Sequence, residues 1–171
     1  MQNPIALNLP AYPLKLSRRA DEQLFVYDEL RKKHLVLTPE EWVRQHWIQH
    51  LIQAKGFPKT LIQSEGGLKL NTLQKRTDIV VFNRSGQRLL IAEFKAPSIP
   101  ITQAVFEQIA RYNMVHKVPY LMVSNGLSHY YCQINHVQGS YLFLEDLPAY
   151  ADMQDFLFKT IGRLRSCYQL G

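Results

Sequence analysis

Cysteine is scarce in this chain. Only Cys132 and Cys167 occur among 171 residues, far apart and without histidine or acidic companions at metal-like spacing. That leaves no disulfide framework and no thiolate metal site, and two free thiols suit a reducing, cytoplasmic compartment. Long apolar runs are missing as well: none approaches the roughly 18 residues of a membrane span. The opening MQNPIALNLPAYPLKL lacks the basic start and apolar stretch of a signal peptide. There is no internal repeat, no low-complexity tract, no evident linker and no GxxxxGKS/T phosphate loop. What remains is an ordinary globular composition, 46% apolar and 20% charged, long enough for one domain with a true core. The formal charge of +6 suits a polyanionic partner without identifying one.

Turn residues and periodicity place the elements. Residues 1–37 are expected to form an extended, proline-bearing arm and an outer hairpin, Tyr12–Leu16 with Leu24–Tyr27, packed on a main domain over 38–171. The stretch Asp28–Leu37 takes no clear state. Thr38-Pro39-Glu40-Glu41 is a helix start with a cap, a first-turn proline and acids at the positive end of the dipole. Val43, Trp47, Leu51 and Ala54 follow at helical spacing as its buried face, and Gly56 ends it. Strand pieces are expected at Thr60–Glu65 and Leu68–Leu70. A helix capped by Thr102 runs to about His116, then come strands Tyr120–Ser124, His129–Asn135 and Tyr141–Leu144, and a last helix over about Asp152–Tyr168. The order implies an α/β fold with a mixed central sheet flanked by helices.

The chemistry gathers in Lys75–Ala96. Two apolar runs, Ile79–Phe82 and Leu89–Ala92, flank Asn83-Arg84-Ser85-Gly86-Gln87, a hairpin signal. A turn centred on Ser85-Gly86 places Phe82 opposite Leu89 and Asp78 opposite Glu93. Alternation then puts Asp78, Val80 and Phe82 on one face with Leu89, Ile91, Glu93 and Lys95. Opposed like charges on a sheet are destabilising unless a cation joins them. Carboxylate oxygens are the ligands hard cations such as Mg²⁺ prefer, so Asp78 and Glu93 are candidate metal ligands, with the Phe94 carbonyl as a third. Lys95 could orient a water nucleophile or stabilise charge developing on a phosphate. The plainer alternative is a structural Glu93–Lys95 ion pair.

This constellation resembles the PD-(D/E)xK nuclease superfamily, with Asp78 followed by Glu93-Phe94-Lys95 as its ExK element. More narrowly, the chain resembles the N-terminal nuclease domain of type I restriction enzyme R subunits over about residues 38–145. Pro39-Glu40-Glu41-Trp42-Val43-Arg44-Gln45 is similar to that family's acidic first helix. Lys75-Arg76-Thr77-Asp78-Ile79-Val80-Val81 is similar to its second core strand, and Gln108-Ile109-Ala110-Arg111-Tyr112 to its QxxxY motif. The resemblance implies an αβββαβ restriction-endonuclease-like core and a Mg²⁺-dependent DNA nuclease, Mn²⁺ substituting. It also implies Asp78 and Glu93 as metal ligands, Lys95 as the catalytic lysine, and Gln108 and Tyr112 as accessory residues. Thr77 stands where the motif's name has proline. Without a phosphate loop or room for a motor, the chain is expected to work alone or to join a separate motor or specificity subunit.

Other residues carry two readings each. Glu40 or Glu41 could reach the metal from the first helix, or be ordinary first-turn acids. Lys75, Arg76 and Arg44 are candidate DNA phosphate contacts, Arg44 alternatively pairing with Glu40 at the i,i+4 spacing. Gln108 and Tyr112 stack on one helical face and either serve the site or belong to the core. His46 and His50 imitate a zinc-protease spacing without its glutamate and are expected to be a solvated or boundary pair. His129, Tyr130 and Tyr131 either line a groove or pack.

Overall fold

The computed structural model describes residues 5–20, 22–66, 77–107, 117–136 and 138–154. Near the N-terminus, β1 (Leu16–Arg18), β2 (Leu24–Asp28) and β3 (Lys33–Val36) form an antiparallel sheet with β2 in the middle. The expected outer hairpin is present but displaced. Ser17 pairs with Phe25 inside the ladder instead of turning, and the bend is closed by the Arg19 N–H donating to the Gln23 carbonyl at 3.1 Å. The unassigned stretch after Asp28 is a turn followed by β3. Asp28 builds that turn, its Oδ1 accepting the N–H groups of Leu30 (2.8 Å) and Arg31 (2.9 Å).

Helix α1 (Pro39–Gln53) begins as its sequence dictates, the Thr38 hydroxyl accepting the Glu41 N–H at 3.1 Å. Val43, Trp47 and Leu51 are buried, but Ala54 is the exposed C-cap, and Ile48 completes the apolar stripe. Burying each such side chain contributes roughly 1.5–3 kcal/mol. Glu41, Arg44, Gln45 and His46 are buried too, so the helix is covered on more than the sheet-facing side. Part of that cover is the arm: Leu7 and Leu9 pack on the core, and the Trp42 indole donates to the Ile5 carbonyl at 3.0 Å.

The main sheet has six strands in sequence order: β4 (Ile62–Gly66), β5 (Thr77–Phe82), β6 (Arg88–Phe94), β7 (Tyr120–Ser124), β8 (His129–Asn135) and β9 (Ser140–Leu144). All neighbours are antiparallel except β6 and β7, which run parallel. A parallel pair needs a crossover, and residues 103–107 are helical within it. The Thr102 hydroxyl lies 3.4 Å from the Val105 N–H, as expected of a cap. The sheet is two-sided. Ile79, Val81, Leu90, Ala92 and Phe94 pack under α1 with Trp47, Phe57, Tyr150 and Met153. Val80, Ile91, Leu121 and Val123 face Phe106 and Val118 on the other side. The result is the expected mixed sheet with helices on both faces. The strand expected at Leu68–Leu70, and the later parts of the helices expected to His116 and Tyr168, lie outside the described residues. Among those described, no helix is long and apolar enough to cross a membrane.

One polar pin joins arm, helix and sheet. Ser124, fully buried, accepts from the Trp47 indole at 2.7 Å and from the Gly126 N–H at 2.9 Å. Its own proton goes to His129 Nδ1 (2.7 Å), which leaves Nε2 to donate to the Asn8 carbonyl (3.0 Å). His129 is therefore needed neutral. Gly126, at φ +83°, lets Leu7 approach to where a Cβ would meet its Cδ2 at 2.7 Å. His46 is buried, its Nδ1 bonded to the Trp42 carbonyl at 2.9 Å, and His50 meets the Tyr12 hydroxyl at 2.8 Å. His46 is thus interior while His50, half-buried, sits at the boundary where Tyr12 of the arm meets it.

Burial lowers the pKa of His129, His46 and His50 below the ordinary 6.5, outweighing the backbone bonds that raise the first two. A histidine depressed in the fold contributes stability present above its unfolded pKa and lost as pH falls through the folded one. The melting temperature should therefore drop between about pH 7 and pH 5. His129→Gln, uncharged throughout, should show a shallower drop; a slope equal to wild type would remove His129 from this account.

Candidate active site

The β5–β6 hairpin positions the candidate residues. Its turn is tied by Asn83, whose Oδ1 accepts the N–H groups of Ser85 (3.0 Å) and Gln87 (2.8 Å), with Gly86 at φ +76°. Ile79 pairs with Ala92, Val80 with Ile91 and Val81 with Leu90, the expected register. Between Val81 and Phe82 the ladder shifts, and Phe82 pairs with Arg88 instead of Leu89. That irregularity sends Leu89 to the α1 side with Leu90, while Val80, Phe82 and Ile91 stay together on the other. It lies at the turn end. At the opposite end, the unshifted register brings Asp78 towards Glu93.

Asp78 is held from two directions. Its Oδ2 accepts the Phe94 N–H at 2.6 Å, and its Oδ1 receives Arg44 Nη2 at 2.7 Å. Glu93 Oε1 accepts from Lys95 Nζ at 2.9 Å. Burial raises the Glu93 pKa, the Asp78 charge raises it further, and Lys95 only partly opposes them. For Lys95, desolvation pulls the ammonium down, but the Glu93 hydrogen bond and the charges of Glu93, Asp78 and Glu40 together hold it above its ordinary value. Two acids and an amine share one electrostatic neighbourhood at the end of an apolar sheet.

The two first-turn acids of α1 separate clearly. Glu40, with a side chain 43% exposed, is felt at both Glu93 and Lys95. Glu41 turns inward, bonded to Arg44 Nη1 and Gln45 Nε2, each at 2.9 Å, with Arg31 at 3.9 Å. Arg44 is 7% exposed and pairs with Glu40, Glu41 and Asp78. The i,i+4 pairing is present. The guanidinium lies beneath the surface against all three carboxylates. Sequence spacing gave no sign of its reach to Asp78. Lys75, Arg76, Gln108 and Tyr112 lie outside the described residues. Among those described, no group of three or more histidine, cysteine or acidic side chains is gathered as a metal cage. Cys132 is buried and its thiol is pushed up to about 11, which makes it unreactive packing.

Comparison with known proteins gives a consistent picture. The family model described as Type I restriction enzyme R protein N terminus matches residues 39–148. Among solved structures, a fragment assigned as an HsdR subunit of a type I restriction enzyme from Vibrio vulnificus YJ016 superposes with a TM-score of 0.50 at 18% identity. The match covers 71% of this chain and 25% of that one, so the chain spans about a quarter of its length. No curated protein matches in sequence.

The raised Glu93 pKa has a consequence for stability. The folded state binds its proton more readily than the unfolded chain, so an ionised Glu93 costs stability at neutral pH, a cost relieved as pH falls through the folded pKa. Glu93→Gln should raise the denaturation midpoint at pH 7, with the gain vanishing below the ordinary value of 4.5. A purely structural Glu93–Lys95 pair gives the opposite sign.

Proposed function

Because the chain belongs to the type I restriction enzyme R protein N-terminus family, we propose that it is a Mg²⁺-dependent DNA nuclease domain of the PD-(D/E)xK type. The observation that carries the reading is the acidic pair at the open end of the β5–β6 hairpin, with Lys95 bonded to Glu93 and the Glu93 carboxyl raised by burial and then by the Asp78 charge. A half-buried, mutually repelling acid pair is a poor stability device and a good cation trap.

The donor set fits a hard divalent ion. Two carboxylates without a third described acid in a cage is the arrangement Mg²⁺ takes when waters and substrate phosphates complete its shell. Asp78 and Glu93 would hold the ion, with the Phe94 carbonyl as a further donor. Bound there, Mg²⁺ would polarise a phosphate oxygen and raise the local acidity of water. Lys95 donates to Glu93, orienting it, and supplies positive charge where phosphodiester cleavage develops negative charge. Its raised pKa keeps it protonated, so it acts as an electrostatic group and not as a base. Glu40, near both groups, adds negative charge at the rim. Gln108 and Tyr112 would form the accessory motif, and Lys75 and Arg76 would contact the DNA backbone. A separate motor or specificity subunit is the partner that this reading expects in a restriction assembly.

A second reading, a catalytically silent module that binds DNA or docks onto a partner, draws on one observation. Both oxygens of Asp78 already have protein partners, Arg44 and the Phe94 amide. The two readings part on turnover. The nuclease reading expects Mg²⁺- or Mn²⁺-dependent cleavage of duplex, single-stranded or branched DNA. It also expects Asp78→Ala, Glu93→Ala and Lys95→Ala to lose at least about 100-fold in rate with the fold intact. A wild type as inert as the variants, with salt-sensitive DNA binding that survives Glu93→Ala, supports the silent module instead.

A further inference from the structure

Arg44 and Asp78 are 34 residues apart in sequence and 2.7 Å apart in space. The guanidinium is a rigid planar fork. Nη1 is fixed on Glu41 Oε2 at 2.9 Å, while Nη2 meets Asp78 Oδ1 and, at 3.4 Å, Glu40 Oε1. The fork is itself anchored from behind. Glu41 is locked by Gln45 on its other oxygen and flanked by Arg31, which pairs with Asp28 at 2.9 Å. Asp28 is fully buried in β2, so the chain of charges runs from the N-terminal sheet through α1 to the end of β5. On the far side of Asp78, the Phe94 N–H of β6 takes the second oxygen. Contacts on different oxygens, from different elements, leave the carboxylate one orientation.

From this geometry we infer that Arg44 is a positioning residue. It sets the rotation of the Asp78 carboxylate against the Phe94 amide and thereby aims the remaining lone pairs towards Glu93. Charge alone does not do this. An ammonium on a flexible stem is a point donor and cannot span Glu41 and Asp78 in a fixed plane. The functional consequence rests on the proposed metal role of Asp78 and Glu93, whereas the orienting contact does not.

The Phe94 amide reports the orientation directly. In the ¹⁵N-labelled full chain, Arg44→Gln and Arg44→Lys are compared with wild type by the Phe94 amide shift and hydrogen exchange, with Mn²⁺ binding measured by calorimetry. The expected result is a folded lysine variant whose Phe94 amide moves upfield and exchanges about tenfold faster, other β6 amides holding. Mn²⁺ affinity falls by about tenfold in parallel. An undisturbed Phe94 amide in a folded variant overturns the proposal, as does complete rescue by lysine. A lysine variant that does not fold makes Arg44 a folding element and also overturns it. A wild type that binds no Mn²⁺ while Phe94 still responds removes the metal reading and leaves the positioning role standing.

Discussion

Two carboxylates that repel each other, brought together by one hairpin, are the constraint around which this molecule is arranged. Burial and then the Asp78 charge push the Glu93 carboxyl up, so the pair works against the register that brings it together. The apolar register of Ile79, Val80 and Val81 against Leu90, Ile91 and Ala92 forces the approach, because slipping by one residue would turn two buried faces inside out. Core packing thus holds in place an arrangement that electrostatics opposes. Arg44 and Lys95 offset the repulsion without cancelling it, and Glu93 stays raised.

The surroundings follow from that constraint. An arginine reaching Asp78 must come from an element packed over the sheet end, and α1 is that element, fixed there by Trp47, Ile48 and Leu51. Burying Arg44 needs acids about it, and Glu40 and Glu41 supply them from the first turn, where the helix dipole also favours them. Removing one member of a buried ion pair costs about 3–5 kcal/mol. The charged layer therefore ties the site's geometry to the stability of the whole. The N-terminal arm and sheet, outside the family match, close over the helix through Leu7, Tyr12 and Arg31, and Asn8 ties the arm to the Gly126–His129 turn.

The parts of the fold written in local chemistry were legible. Thr38 and Pro39 mark the start of α1, the Asn-Arg-Ser-Gly turn marks the hairpin, and Tyr120–Ser124 is bounded as expected. The approach of the two acids was legible because the period of a strand is two and the apolar runs beyond the shift keep the expected pairing. What escaped depended on distant partners. The register shift at Phe82 moves Leu89 across the sheet, and nothing in the local pattern announces it. Arg44 could be matched to Glu40 by spacing, but not to Asp78. The burial of His46 was not legible on its helix, because the residues that cover it come from an arm thirty-odd positions earlier. The Ser124–His129–Asn8 pin likewise joins residues that no motif links.

Family membership and geometry meet at a single point, the space between Asp78 and Glu93, and that point can be observed. Crystals of the full chain soaked in Mn²⁺ and recorded at the manganese absorption edge test it. The account predicts an anomalous peak within coordination distance of both carboxylates, with Lys95 beside it. Saturating Mn²⁺ that leaves this space empty, the two acids bonded only to Arg44, Lys95 and the Phe94 amide, would contradict it.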